Sequence, residues 1–339
     1  MDSDNSAQRQ QIAVLGAGSW GTALACLLAN NNHEVTLWSH SSEHIKQLKK
    51  TRKNQRYFPS IELPKSLKFS SDLTELCQNH RYFLLVIPSR SFRATLDKMQ
   101  TCGLPENSYI LWGTKGFDAE QQILLSDLIK QQITTSHYKS VISGPSFAKE
   151  VMLQFPTALT VAADTLEISE HIAQLFHNEN TRVYSNDDLA GTQVGGAVKN
   201  VLAIACGISD GLGYGSNAKA ALITRGLAEI TRLGLDLGGR PETFQGLSGI
   251  GDLVLTCTDD KSRNRRFGLG IGQGKKIEDI LNEIGQEVEG LVTSKEVFLL
   301  AHQRRIEMPI CEQVYKVLYQ GVSPKTAVQT LLRRSRAQE

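Results

Sequence analysis

Residues 11–21 read Gln-Ile-Ala-Val-Leu-Gly-Ala-Gly-Ser-Trp-Gly, and this stretch decides the fold. A short apolar run over residues 12–15 predicts a buried strand, and residues 22–29 have the small, apolar character of a helix. The turn between them contains Gly16, Gly18 and Gly21. The first glycine permits a tight turn, the second lets the backbone approach a pyrophosphate, and the third lets helix and strand pack closely. Because the N–H groups at a helix N-terminus bind anions, the stretch predicts a dinucleotide-binding turn rather than a plain strand-turn-helix.

Length and composition indicate a globular chain of about two domains. The 339 residues are 40% hydrophobic and 21% charged, with a net charge of +2. The small net charge argues against nucleic acid, and we see no apolar run near the roughly 18 residues of a membrane span. The N-terminus is polar, and the six cysteines are scattered without a metal-binding spacing, which is typical of a cytoplasmic protein. We expect residues 1–10 to form a disordered tail.

Apolar runs at regular intervals predict a parallel sheet. The run at residues 82–87 contains no strongly polar side chain, as in the buried middle of such a sheet. Further strands are predicted at residues 34–39, 108–113, 139–142, 157–162 and 181–184. With helical stretches between them, residues 11–190 fit an α/β fold, a Rossmann-type doubly wound sheet that forms a dinucleotide-binding domain.

Strand signals fade after residue 190, so we expect residues 191–339 to form a mainly helical C-terminal domain for substrate binding and catalysis. Around residue 230 the spacing of side chains is helical. One helical face carries apolar or small residues (Ile223, Leu227, Ile230 and Gly234), and another carries charged ones (Arg225, Glu229 and Arg232).

The end of the second predicted strand bears on the choice of nicotinamide cofactor. An acidic residue there would bind the adenosine ribose of NAD, whereas this chain has Trp38, Ser39 and His40. A 2′-phosphate is therefore tolerated, and His40 or the basic run over residues 46–53 would supply positive charge, although a solvated helix face explains the run more simply. These residues favour NADP(H) and leave NAD(H) open. His40 and His44 have the spacing of a helical metal pair, but without a third ligand we expect no metal.

Two lysines stand out against their surroundings. Lys115 follows a predicted buried strand, at the edge where ligands collect in open α/β sheets, and glycines at positions 113 and 116 flank it. Lys199 and Asn200 are the strongly polar residues of a long apolar helix. Burial there would lower the pKa of Lys199 and suit it to proton transfer. For either lysine the alternative is a side chain that simply reaches solvent.

A carboxylate and an arginine cluster follow in the second half of the chain. Asp252 lies between glycine-containing and apolar stretches, where an unpaired carboxylate is costly, so we expect it to pair with a lysine such as Lys199. Arg263, Arg265 and Arg266 lie within four positions and present planar groups that match a phosphate. A solvated basic turn is the alternative for the arginines.

Taken together, these segments closely resemble the bacterial NAD(P)-dependent glycerol-3-phosphate dehydrogenases. The similarity runs from about residue 11 to residue 333, and the motifs occur in the order of that family. The matching stretches are LGAGSWGTALA (15–25), WGTKGF (112–117), SGPSFAKE (143–150), GGAVKNVLAI (195–204), ITRGLAE (223–229), GDLVLTCT (251–258), SRNRRFG (262–268) and QEVEGLVTSKE (286–296).

The resemblance implies that dihydroxyacetone phosphate is reversibly reduced to sn-glycerol 3-phosphate by NADPH or NADH, which supplies glycerophospholipid synthesis. It implies that Lys199 donates the proton, that Asp252 and Asn200 orient Lys199 with Thr256 close by, and that Lys115 polarises the substrate oxygen. A homodimer is a further implication. Reduction of a ketone leaves a developing alkoxide, which two lysines stabilise, and their repulsion lowers the pKa of one of them.

The same resemblance implies two sets of binding residues. Arg263 and Asn264 would hold the substrate phosphate, in a pocket that includes further residues from both halves of the chain (Lys115, Gly144, Ser146, Lys199, Asp252 and Ser262). The residues implied to contact the cofactor are Gly16, Gly18, Ser19, Trp20, Gly21, His40, Lys115, Ala148, Arg263 and Glu289.

Two other functions remain open on the residues alone. One is a reductase of the same architecture that acts on a hydroxy acid or keto acid, against which the arginine cluster argues. The other is a redox sensor that binds NADPH without turnover. The combination of Lys115, Lys199 and Asp252 argues against a sensor, because a pure binder needs no proton donor.

Overall fold

The computed structural model describes residues 9–333, which form two compact units. The first unit comprises the chain up to Thr114 together with Leu125–Leu189. The second comprises Lys115–Leu124 and the chain from Ala190 onward. Of the tail expected at residues 1–10, residues 1–8 lie outside the described part of the chain.

An eight-stranded sheet forms the centre of the first unit, in the order β3-β2-β1-β4-β5-β6-β7-β8. Its first six strands have the strand order of dinucleotide-binding sheets, in which the order reverses between β1 and β4 and ligands bind at the carboxyl ends. The predicted Rossmann-type sheet is thus confirmed. The strands are β1 Gln11–Leu15, β2 Glu34–Trp38, β3 Lys68–Ser70, β4 Tyr82–Leu85, β5 Ser108–Trp112, β6 His137–Ser143, β7 Thr157–Ala163 and β8 Thr181–Asn186.

The sheet differs from the sequence-based expectation in two places. Strand β3 was not predicted, because it has three residues and buries only Phe69. Strand β7 runs antiparallel to β6, although the other neighbouring pairs are parallel. The connection from β6 to β7 contains a helix of only five residues, whereas a parallel crossover usually carries a full helix.

Helices pack on this sheet, and several begin at a capping side chain. Ser41, Asp72 and Thr165 each accept a hydrogen bond from a backbone N–H in the first turn of the following helix. The helices of the first unit are α1 Ser19–Asn30, α2 Ser42–Thr51, α3 Leu73–Asn79, α4 Ser89–Cys102, α5 Leu125–Gln132, α6 Ala148–Met152 and α7 Leu166–Phe176.

The second unit is mainly helical, as the sequence predicted, with no strand among its described residues, and it is built around one buried helix, α8. A π-helical turn, Leu247–Gly251, precedes α11. The helices are α8 Leu189–Gly211, α9 Ser216–Asp236, α10 Pro241–Gln245, α11 Asp252–Thr258, α12 Arg263–Gly272, α13 Ile277–Ile284, α14 Glu289–Arg304, α15 Pro309–Tyr319 and α16 Pro324–Leu332.

Glycines bring the neighbours of α8 into backbone contact. A Cβ atom at Gly195 would lie 2.2 Å from the carbonyl oxygen of Ser248, and one at Gly207 would lie 2.0 Å from that of Arg265. By length and composition alone, helix α8 could cross a membrane, although the sequence analysis found no apolar run of that length. However, 89% of its apolar stretch is buried inside the protein, as in a core helix.

The segment Lys115–Leu124 belongs to the second unit although the sequence places it between β5 and α5 of the first. We call it the strap. Phe117 and Leu124 are buried in the apolar core of the helical unit. Gly116, with φ of +134°, adopts a backbone conformation that strongly favours glycine. The strap therefore carries Lys115 into the helical unit.

The charged face predicted on α9 is only partly exposed. Arg225 and Arg232 are exposed, whereas Glu229 is buried. The Glu229 carboxylate accepts hydrogen bonds from the backbone N–H groups of Ile310 and Cys311, at 2.7 and 3.1 Å, and so caps the start of α15. The spacing of residues within α9 predicted its charged face, but not the contact of Glu229 with the start of α15.

Candidate active site

The three glycines of the turn after β1 differ in their surroundings, because two are closely packed and one faces open space. Gly16 has φ of +123°, and a Cβ atom there would lie 2.2 Å from the carbonyl oxygen of Val86. A Cβ atom at Gly21 would lie 1.9 Å from the carbonyl oxygen of Gly16. A Cβ atom at Gly18, by contrast, meets nothing within 4 Å among the described residues. Packing of the chain thus explains Gly16 and Gly21, whereas Gly18 leaves a cradle at the start of α1 that fits a pyrophosphate.

Asn54 fixes this turn and was missed by the sequence interpretation. Its buried amide donates to the carbonyl oxygen of Ala17 at 3.0 Å and to the Thr22 hydroxyl at 2.9 Å. The His44 ring lies 3.4 Å from the Asn54 side-chain oxygen. His44 therefore supports the turn, while His40 precedes α2 rather than sharing it, and residues 9–333 contain no cluster of three metal-binding side chains. A lone asparagine in a polar stretch gives no periodic signal, which is why it was overlooked.

The carboxyl end of β2 places His40 at the surface beside a helix with basic side chains. His40 is exposed, and Lys46, Lys49 and Lys50 are exposed on α2. Arg52 is engaged elsewhere, because its guanidinium donates to the carbonyl oxygen of Leu67 at 2.9 Å. The lysines thus form a solvated helix face, and His40 follows the strand end at which a cofactor ribose is bound in this type of sheet.

The predicted substrate residues of the first unit lie where β6 ends. Gly144 follows the strand with φ of +123°, and the Ser146 hydroxyl donates to the carbonyl oxygen of Gly144 at 3.3 Å. Ala148 begins the short helix α6. Ser19 and Trp20 open α1, and the indole nitrogen of Trp20 is buried without a hydrogen-bond partner among the described residues.

One buried carboxylate joins the two lysines that the sequence singled out. The Lys115 ammonium donates to Oδ2 of Asp252 at 2.9 Å, and the Lys199 ammonium donates to Oδ1 of the same side chain. The side chains of Asp252, Lys199 and Lys115 are 1%, 6% and 15% exposed. The expected pairing of Asp252 with Lys199 is confirmed, and Lys115 shares the same partner. Thr256 donates to the carbonyl oxygen of Asp252 at 2.6 Å and so lies beside this centre.

The two lysines have opposite pKa shifts. Burial lowers the pKa of Lys199 to about 7, and the charge of Lys115 acts in the same direction, against the attraction of Asp252. Burial also acts to lower the pKa of Lys115, but Asp252 and the hydrogen bonds at its ammonium outweigh this effect and raise the pKa. One lysine is therefore poised to exchange a proton near neutral pH, and the other stays charged.

Asn200 is tied to a hydrogen-bonded chain that links α8, α12 and α14. Its amide nitrogen donates to Glu289 at 3.1 Å, and its oxygen accepts from the Asn264 amide at 2.9 Å. The Asn264 oxygen in turn accepts from the backbone N–H of Gly290 at 2.9 Å. Asn200 thus connects Glu289 to Asn264, and its implied contribution to the orientation of Lys199 stays a prediction.

The arginine cluster divides into residues with different surroundings. Ser262 caps α12 by accepting from the backbone N–H of Arg265, and Arg263 is the first residue of this helix. The Arg265 guanidinium pairs with Asp260 and, at 2.6 Å, with Asp210, whereas Arg266 is exposed. Arg265 is therefore a brace for the helix start, and the predicted anion site rests on Arg263. The brace was missed because its partner Asp210 lies 55 residues away in sequence.

Comparison with known proteins identifies the family of this chain. The sequence model of one protein family, the NAD-dependent glycerol-3-phosphate dehydrogenase N-terminus, matches residues 11–169. The family model of the corresponding C-terminus matches residues 188–329. Glycerol-3-phosphate dehydrogenase [NAD(P)+] of Pseudoalteromonas translucida is 48% identical over 329 residues, which cover 97% of this chain and 98% of that protein. The enzyme of the same name from Legionella pneumophila strain Lens is 49% identical over 333 residues, covering 98% and 99%.

A solved structure extends the similarity to three dimensions. The crystal structure of glycerol-3-phosphate dehydrogenase from Coxiella burnetii matches with a TM-score of 0.92 and 44% identity, over 96% of this chain and 99% of that one. The resemblance found in the sequence is thereby confirmed. With both of its units matched, this chain belongs to the NAD-dependent glycerol-3-phosphate dehydrogenase family.

Proposed function

We propose that the protein catalyses the reversible reduction of dihydroxyacetone phosphate to sn-glycerol 3-phosphate, with Lys199 as the proton donor. The observation that carries this proposal is the buried carboxylate of Asp252 between two lysines of opposite pKa shift. Two titratable groups whose surroundings drive their pKa values apart are suited to separate roles in one reaction. Family membership supplies the substrate and the direction of the chemistry.

Reduction of a ketone places negative charge on its oxygen, and the two lysines stabilise this charge in different ways. Lys199 gives a proton to the oxygen in the reduction and accepts one in the reverse reaction, because its pKa of about 7 makes both forms available. Lys115, whose pKa is raised, remains an ammonium and stabilises the developing alkoxide. Asp252 accepts a hydrogen bond from each lysine and offsets part of their positive charge.

Arg263 and Asn264 are proposed to hold the substrate phosphate. They open α12, where the unpaired backbone N–H groups of the first turn favour an anion. The Arg265 brace and the Ser262 cap fix this turn, so that Arg263 is presented from a rigid element. A guanidinium binds phosphate oxygens with two parallel hydrogen bonds, which suits the phosphate group of the substrate. Gly144 and Ser146 are proposed to line the substrate pocket.

The first unit fits a dinucleotide, as its family implies. When bound, the nicotinamide supplies the hydride. We propose that the glycine turn and the first residues of α1, which together comprise residues 16–21, hold the pyrophosphate. His40 is proposed to contact the ribose end, with Ala148, Arg263, Glu289 and Lys115 as further contacts. The absence of an acidic side chain at positions 38–40 favours NADP(H), with NAD(H) as the alternative.

We infer a cytoplasmic setting for the enzyme, and its cysteines support this inference. All six cysteines are free thiols, and five are buried, which suits the reducing cytoplasm and a role in glycerophospholipid synthesis. The net charge of +2 gives no support for nucleic acid binding. A homodimer, implied by the resemblance, stays a prediction that analytical ultracentrifugation tests.

The test is a steady-state assay of nicotinamide oxidation by the purified protein, with NADPH and NADH compared in parallel. We expect rapid oxidation with dihydroxyacetone phosphate and at least about a hundredfold lower kcat/KM with unphosphorylated dihydroxyacetone, because the anion site is then unused. The relative rates with the two cofactors decide the NADP(H) preference. Tight NADPH binding without oxidation of any ketone would instead support a sensor, and turnover of a 2-oxo acid would support the other reductases.

A further inference from the structure

We propose that Glu296 is a positioning residue for the reaction, which holds the strap so that Lys115 reaches Asp252. The inference rests on the role proposed above for Lys115. Glu296 lies on α14 and is buried. Its Oε2 atom accepts a hydrogen bond from the backbone N–H of Phe117 at 3.3 Å. Because Phe117 is two residues after Lys115, this contact fixes the chain next to the reacting side chain.

The local conformation of the strap explains why it needs such an anchor. Gly116, between Lys115 and Phe117, has φ of +134°, a backbone conformation that residues with a side chain rarely adopt. The residues that follow close on themselves, since the N–H of Asp118 donates to the carbonyl oxygen of Ile123 at 3.0 Å. The bend that requires glycine thus lies directly after Lys115, and the Glu296 contact together with the buried Phe117 ring holds the chain on its far side.

Helix α14 serves both lysines through two carboxylates on one face. Glu289 and Glu296 are seven residues apart, which is about two helical turns, so both project from the same side. Glu289 accepts from Asn200, the neighbour of Lys199, at 3.1 Å, and Glu296 accepts from the strap that carries Lys115. One rigid helix therefore sets the spacing of the two ammonium groups on Asp252.

The burial of Glu296 indicates that its side chain has a specific hydrogen-bonding role. A carboxylate in an apolar interior is costly unless its oxygens are hydrogen-bonded, so a residue that only filled space here would be better apolar. Glu296 faces the strap instead, and Phe117 and Glu296 are both almost fully buried. If the hydrogen bond between Phe117 and Glu296 is lost, Lys115 separates from Asp252. Lys199 then interacts with Asp252 without the repelling charge of Lys115 nearby. Its pKa must rise in response.

The test compares Glu296→Asp, Glu296→Gln, Lys115→Met and the double variant Lys115→Met/Glu296→Asp, with the exposed neighbour Lys295→Ala as a control. Glu296→Asp keeps the carboxyl group but withdraws it from Phe117, and we expect kcat to fall about tenfold because Lys115 is misplaced. The pH at which reduction declines should rise. Glu296→Gln retains an acceptor oxygen and should stay within about threefold of the wild-type kcat.

The double variant separates positioning from general support of the fold. If Glu296 acts through Lys115, Glu296→Asp costs nothing further once Lys115 is methionine. Additive losses, or an unchanged pH profile in Glu296→Asp, would overturn the proposal, as would a loss in Glu296→Gln equal to that in Glu296→Asp. If Lys115→Met lowers kcat and Glu296→Asp does not, the role of Glu296 is refuted, while the role proposed for Lys115 stands. No effect of Lys115→Met removes the role proposed for Lys115 and the inference with it.

Discussion

The glycine turn of the first unit and the lysine centre of the second are built in opposite ways. In the turn, Gly16, Gly18 and Gly21 lie within six residues, and the proposed pyrophosphate site consists of backbone groups. In the centre, side chains do the work, and they come from far apart: Lys115 and Lys199 precede Asp252 by 137 and 53 residues. A site made from backbone can be recognised in a short stretch of sequence, whereas a site made from distant side chains depends on how helices pack.

The two regions also differ in what fixes them. The turn is fixed by contacts so close that a Cβ atom cannot enter, as at Gly16 and Gly21. The lysine centre is fixed by charge, since each ammonium is held by one carboxylate in a buried setting. Changes in the turn should therefore alter packing or cofactor affinity, and changes in the centre should alter turnover and its pH dependence.

The largest effect is expected at the lysine centre. Lys199→Ala removes the proposed proton donor, and we expect kcat to fall at least about a hundredfold, the usual scale for loss of a general acid. The exposed Lys325→Ala on α16 is the matched control and should keep full activity. Near-normal turnover by a folded Lys199→Ala variant would show that the proton comes from elsewhere.

The glycine turn should separate stability from binding. In Gly21→Ala the new methyl group would lie 1.9 Å from the Gly16 oxygen, and we expect unfolding free energy to fall by about 2 kcal/mol or more. Gly18→Ala meets no described atom within 4 Å, so stability should change by less than about 0.5 kcal/mol while cofactor affinity drops.

Urea denaturation and a fluorescence titration with NADPH measure the two quantities. If Gly18→Ala bound the cofactor as well as the wild type, the cradle inferred at the start of α1 would not be the pyrophosphate site. If Gly21→Ala were as stable as the wild type, close packing of α1 would not explain that glycine.

A smaller effect is expected at the start of α12. Arg263→Ala should raise KM for dihydroxyacetone phosphate by about tenfold or more, because a charge-assisted contact to the phosphate is lost. Arg266→Ala, three residues further on and exposed, is the control and should leave KM unchanged. Equal KM values for both variants would place the phosphate elsewhere and leave Arg263 with no role in substrate binding.

Local sequence predicted the parts of the molecule that are locally determined. The strand before Gly16, the remaining strands except β3, and the helical character after residue 190 are all visible as runs or periods. The pairing of Asp252 with Lys199 was also predictable, because a carboxylate in an apolar stretch needs a partner. That Lys115 shares this carboxylate was not, since nothing near residue 115 indicates that the strap joins the helical unit.

Polar residues that meet a distant helix end or chain segment were the main omission. Asn54, Glu229 and Glu296 each satisfy backbone groups in another part of the fold, and each looks like an ordinary surface residue in the sequence. Periodicity reports which face of a helix a residue occupies, but not what that face contacts. The three arginines at residues 263–266 show the same limit, because only packing reveals that Arg265 is committed to Asp210 and Asp260.

The pH dependence of kcat in both directions tests the central assignment most directly. If Lys199 is the proton donor, reduction needs its protonated form and oxidation needs the neutral amine. With a pKa of about 7, the rate of dihydroxyacetone phosphate reduction should then fall as the pH rises through this value. The rate of glycerol 3-phosphate oxidation should rise over the same interval, and Lys115→Met should move both transitions to higher pH. Rates that change together with pH, or transitions that Lys115→Met leaves in place, would contradict the account.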